Sequence, residues 1–66
     1  MNVELKAPPG KYRVVGVDTF DGTDWIDGDY DSEQEARKAA RKLGGTMQKS
    51  YIYTDEPQLI DSYGTF

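Results

Sequence analysis

Asp31-Ser32-Glu33-Gln34-Glu35-Ala36-Arg37-Lys38-Ala39-Ala40-Arg41-Lys42-Leu43-Gly44-Gly45 is the stretch on which the fold turns. Ser32 and Glu35 have the spacing of a capping box, with Ser32 closing the first turn and Glu35 reaching back. (Asp31 with Gln34 is a rival register, one residue earlier.) Ala36, Ala39, Ala40 and Leu43 recur at helical spacing and form one apolar stripe. Acids stand in the first turn and bases in the last, as the helix dipole favours. Gly44-Gly45 ends the helix as a C-cap.

Outward from the helix the chain reads as strands. On the N-terminal side, Lys11 to Phe20 is rich in β-branched and aromatic residues: Tyr12, Val14, Val15, Val17, Thr19 and Phe20. Asp21-Gly22-Thr23 is a hairpin turn, with Gly22 supplying a positive φ. Asp24 to Tyr30 is a second, weaker strand. Pro8-Pro9-Gly10 cannot join a regular element, so residues 1–10 form a flexible N-terminal arm. On the C-terminal side, Met47 to Thr54 is a third strand and Thr54-Asp55-Glu56-Pro57 a turn. Gln58 to Tyr63 adds a possible short fourth strand, and residues 64–66 form a tail.

The order β-β-α-β predicts an α+β domain over residues 11–63. It has two layers: an antiparallel three-stranded sheet of order 2-1-3, with the possible fourth strand, and one helix on one face. This order puts the most continuously apolar strand in the centre, where no edge is left sticky. By strict alternation Val15, Val17, Ile26, Tyr30 and Ile52 face the helix. Tyr12, Val14, Trp25, Tyr51 and Tyr53 then share the opposite face. That face is a binding surface or a subunit interface, unless the arm (Val3, Leu5) or the tail (Tyr63, Phe66) folds across it.

Length and composition narrow the function. The chain has 66 residues, twelve acids, eight bases, no cysteine and no histidine. One small domain fits, and its core is marginal. Disulfides, zinc, copper and haem sites built on Cys or His, and histidine-based dyads and triads are all excluded. No run of about 18 apolar residues could span a membrane, and the N-terminus has no apolar run of signal-peptide length. A cytoplasmic protein is expected.

The net charge of −4 hides a block pattern. Residues 14–35 carry eight acids and no base: Asp18, Asp21, Asp24, Asp27, Asp29, Asp31, Glu33 and Glu35. Residues 36–54 carry Arg37, Lys38, Arg41, Lys42 and Lys49 and no acid. Asp27-Gly28-Asp29-Tyr30-Asp31-Ser32 starts like an EF-hand loop. It then has Ser32 where Gly is required and Lys38 where the bidentate Glu belongs, so no metal is expected. In a strand, Asp27 and Asp29 would point the same way. No Gly-rich loop precedes the helix to cradle phosphate, and no histidine activates Ser32, Ser50 or Ser62. No catalytic residue and no cofactor are expected. The low pI and the acidic block argue against nucleic acid at the basic helix face. A protein partner or self-association is expected, at Asp21, Asp24, Trp25, Asp27 and Asp29 on an acidic hairpin and at Tyr12, Tyr51 and Tyr53 on the sheet.

The runs Lys11-Tyr12-Arg13-Val14-Val15-Gly16-Val17-Asp18, Asp24-Trp25-Ile26, Tyr30-Asp31-Ser32-Glu33-Gln34-Glu35-Ala36 and Leu43-Gly44-Gly45 resemble short bacterial and phage proteins of β-β-α-β layout with no assigned function. A similar layout occurs in a small phage-encoded inhibitor of bacterial RNA polymerase. The resemblance spans about residues 11–60 and is one of pattern, so it assigns no residue a role. The residues themselves lead to the expectation of a non-catalytic protein-interaction or regulatory module, with a structural homodimer as an alternative, and the resemblance adds only a phage-type inhibitor of a host nucleic-acid enzyme as a further alternative.

Overall fold

The structure is a computed structural model and describes residues 3–65. Its elements are β1 (Tyr12–Asp18), β2 (Thr23–Tyr30), α1 (Glu33–Leu43), β3 (Gln48–Tyr53) and β4 (Leu59–Thr65). All neighbouring strands are antiparallel, in the order β2-β1-β3-β4. The expected 2-1-3 arrangement holds, and the fourth strand lies beside β3.

The helix begins as its sequence dictates. Ser32 is the N-cap, and its Oγ accepts the Glu35 N–H at 3.2 Å. Its end differs from a left-handed glycine cap: Gly44 has φ −68°, and its N–H donates to the Ala40 carbonyl. Gly44 is required for space instead, because a Cβ there would stand 2.9 Å from the Tyr63 carbonyl carbon.

The helix-side core is Val14, Ala36, Ala40 and Ile52, all fully buried. Alanine lets α1 approach the sheet closely. The approach is fixed by a buried polar contact, in which Ser50 Oγ donates to the Ala40 carbonyl at 2.6 Å. Tyr12, Tyr30, Leu43, Ile60 and Tyr63 ring this cluster.

Alternation holds in β1 with the opposite phase to that expected and breaks in β2, and the face assignment is corrected accordingly. Val14 pairs with Ile52, so Val14, not Val15, faces the helix. Val15 pairs with Tyr51 and lies on the other face. β1 is apolar at both parities, so its pattern cannot choose a side. In β2 a register shift opposite Val14/Val15 inserts an extra residue. Ile26 and Tyr30, expected together, are thereby separated. Trp25 pairs with Gly16 and Tyr30 with Tyr12, and both rings lie on the helix side. Gly16 makes room for this: a Cβ would stand 2.5 Å from Trp25 Cζ2 and 3.0 Å from Leu43 Cδ2.

The face away from the helix is covered in part by the N-terminal segment. Ala7 is 2 % exposed, and its N–H donates to the Thr54 carbonyl at 3.2 Å. Arg13 Nη1 donates to the Glu4 carbonyl at 2.8 Å, and the Gly10 N–H donates to Asp55 Oδ2 at 2.9 Å. Val15 is fully buried and Tyr53 nearly so on this face.

The backbone also sets the two sheet edges. The Thr65 N–H donates to the Gly45 carbonyl, and the Gly45 N–H donates to Gln48, which pairs with Thr65. Even-numbered β3 residues therefore turn their backbone groups toward β4, where Tyr63 and Asp61 lie opposite Ser50 and Ile52. Ser62 faces outward, and its N–H donates to Asp61 Oδ1 at 2.8 Å.

Candidate interaction surface: the hairpin tip and the groove beside the helix

The residues expected to bind do not form one surface. Tyr12 and Trp25 are on the helix side, partly buried. Tyr51 and Tyr53 are on the opposite face with ring centroids 6.4 Å apart, and Lys49 Nζ lies 5.3 Å from the centroid of Tyr51. The single aromatic face expected from alternation is thus divided between the two sides of the sheet.

The acidic hairpin is likewise divided. Asp29 takes two hydrogen bonds from Arg13, at 2.7 and 3.1 Å, on the face away from the helix. Asp27 accepts the Tyr30 hydroxyl at 3.0 Å on the helix side. These two aspartates were expected to point the same way; the bulge in β2 sends them apart. Burial and this bond to Asp27 raise the Tyr30 pKa. Asp31 pairs with Lys11 at 2.7 Å, and Glu33 with Arg37 at 2.8 Å. Asp31 in turn raises the Lys11 pKa through its hydrogen bond. Most of the acidic block is therefore engaged within the fold, Asp18 and Asp24 included. Among the described residues no group of three or more acidic side chains converges as a metal ligand set.

At the hairpin tip the geometry is different. Asp18 Oδ1 accepts the Phe20 N–H at 2.9 Å and the Asp21 N–H at 3.3 Å, which folds the chain out of β1. Gly22, with φ +69°, completes the turn. Phe20 was expected to end the strand; it stands instead on the turn, 79 % exposed. The neighbouring loop is tied to the tip, because the Thr19 N–H and Oγ1 both donate to the Met47 carbonyl. Met47 has φ +62°, a strained value for a residue with a side chain, and is 43 % exposed. The Asp21 carboxylate has no polar partner among the described residues. Apex, turn and loop together present an apolar knob with an acid beside it.

The second feature is a groove of about 510 Å³ between α1 and β2. One helix cannot cover four strands, and its stripe sits over β1, β3 and β4 more than over β2. Tyr30, Ala39 and Leu43 form the apolar floor, Glu35, Lys38 and Lys42 the helix wall, and Asp27 the strand wall, so acids and bases balance. Lys38 and Lys42 are exposed and have no polar partner among the described residues.

Sequence reasoning missed Phe20 and the groove. Phe20 was readable from its neighbours, since it directly precedes Asp21-Gly22, where a large apolar residue has nothing to pack on. The groove was not readable, because it depends on how far the helix shifts across the sheet. Among the described residues no helix is long and apolar enough to cross a membrane. The chain matches no family model, no curated protein and no solved structure.

Proposed function

We propose that the chain is a small non-catalytic protein-interaction module that binds through the tip of its β1–β2 hairpin. The observation that carries this reading is Phe20, 79 % exposed on a turn whose two amides are held by the Asp18 carboxylate. An aromatic side chain on a turn whose backbone is held has less freedom to lose on binding, and such residues dominate interface energetics. Asp21 and Asp24 beside it favour a partner surface with an apolar pocket and a basic rim. A cytoplasmic setting suits a chain without cysteine.

The test is comparative capture by the wild-type chain, Phe20→Ala and Asp21→Lys, each first shown to be folded by circular dichroism. A partner held by the wild type and lost with both variants supports the reading. A partner held equally by all three removes the tip from the interface.

A further inference from the structure

We propose that the hairpin tip is a self-modification site, at which Asp21-Gly22 converts to an isoaspartyl linkage through a cyclic imide, while Asp27-Gly28, the same dipeptide in β2, is protected. The inference stands on the geometry of the two dipeptides and needs no binding partner.

The only co-reactant is water. The Gly22 backbone nitrogen attacks Cγ of the protonated Asp21 carboxyl, and a C–N bond forms. The carboxyl hydroxyl leaves as water, taking the amide proton. In the resulting five-membered imide the nitrogen is bonded both to Cγ and to the main-chain carbonyl carbon of Asp21. Water then cleaves one of these two bonds. Cleavage at Cγ restores aspartate. Cleavage at the main-chain carbonyl carbon leaves that carbon as a free carboxylate and routes the chain through Cβ and Cγ. Charge is conserved, and the backbone is longer by one methylene. Glycine favours ring closure because no Cβ shields its nitrogen.

The fold treats the two dipeptides differently. Asp21 and Gly22 lie beyond the last rung of the β1–β2 ladder, Asp18–Thr23. The Asp21 carboxylate has no polar partner among the described residues, and a Cβ on Gly22 would meet nothing within 4 Å. Ring closure rotates the Asp–Gly peptide until its nitrogen eclipses Cβ, and a turn outside the ladder opens to this at low cost. Asp27 is exposed too, so access to water does not separate the sites. The strand does. The Asp27 carboxylate accepts the Tyr30 hydroxyl at 3.0 Å. Gly28 is paired with Val14 in the ladder, and Tyr30 ring atoms lie 3.3 Å from where a Gly28 Cβ would sit. The same rotation at Asp27 takes β2 out of its extended conformation and breaks that pairing, so β2 must open first.

The test is to keep the purified chain at neutral pH and physiological temperature for several weeks, beside the same chain unfolded in urea. Peptide mapping with electron-transfer fragmentation locates isoaspartate at each position. Unfolded, the two dipeptides should isomerise at similar rates. Folded, Asp21 should isomerise at least about tenfold faster than Asp27, whose reaction waits on strand opening. Asp21→Glu should lose the modification at the tip, because its longer side chain would have to close a six-membered ring. Asp21→Asn should speed it, with ammonia leaving in place of water. A folded chain that isomerises at Asp27 as fast as at Asp21 overturns the proposal, as does one that protects Asp21 as strongly as Asp27. The added methylene lengthens the turn that carries Phe20, so on the tip reading the isomerised chain should capture less partner than fresh chain. Peptide mapping reads the modification with no partner present, so that reading and this inference fail separately.

Discussion

Glycines 16 and 22 look alike in the sequence and have different tasks. At Gly22 a Cβ would meet nothing within 4 Å, and the constraint is the positive φ of +69°. Gly22→Ala should therefore cost about 1–2 kcal/mol, the strain of a left-handed alanine. At Gly16 the backbone is ordinary strand and the constraint is the Trp25 ring, 2.5 Å from where a Cβ would sit. Gly16→Ala should cost about 1–3 kcal/mol as an overpacking defect and shift the Trp25 emission, since the indole must move. Urea unfolding followed by fluorescence distinguishes the two: only Gly16→Ala should alter the spectrum of the folded state. From the sequence Gly16 is legible as a strand residue and no more. Glycine in a strand signals a close approach without saying by what.

At the scale of elements, the helix was the most legible part. Its N-cap, stripe and charge order are local properties, written in consecutive residues. Ser32→Ala should remove the bond to the Glu35 N–H and cost about 1 kcal/mol in thermal or chemical unfolding. The strands were legible as strands but not as faces. Ile52 and Tyr51 went to their correct sides because β3 alternates cleanly. Val14 and Val15 were exchanged because both are valines and both are buried, one under the helix and one on the other face. Trp25 was misplaced because the bulge in β2 lies between it and Tyr30, and a bulge leaves no mark on composition. The N-terminal segment shows the same limit. It is one of the covers expected for the far face, and its place in the packing rests on tertiary contacts: the Ala7–Thr54, Arg13–Glu4 and Gly10–Asp55 bonds and the burial of Ala7. Ala7→Asp puts a carboxylate into that 2 % exposed position and should destabilise the fold by about 1–3 kcal/mol. A melting temperature equal to that of the wild type would show that the segment contributes nothing.

Over the whole molecule, the charge blocks are less polarised than they look. Arg13 draws Asp29 across the β1–β2 pair, and Arg37 joins Glu33 of its own helix to Asp61 and Tyr63 of β4. These are long-range fasteners in a chain without disulfides, and they give stability a pH dependence of known sign. The Ser62 N–H first, and Arg37 second, hold the Asp61 carboxyl below its ordinary value of 3.8. A lowered folded-state value means that the contribution is complete above about pH 4. It is lost as pH falls through the lowered value. Asp61→Asn should accordingly remove part of the acid sensitivity of unfolding below pH 4 and leave the shape of the curve near neutrality unchanged. Thermal unfolding of both chains across that range measures it.

The Asp61–Ser62 contact also bears on what happens beyond the last strand. A four-stranded sheet has two rims, and each invites another chain to continue the ladder. The β2 rim is kept apart by its bulge and its aspartates. The β4 rim carries a single acid, and that acid folds back onto the amide of the next residue, Ser62. The carboxylate thus occupies the Ser62 N–H, one of the groups that a strand added along β4 would have to bond.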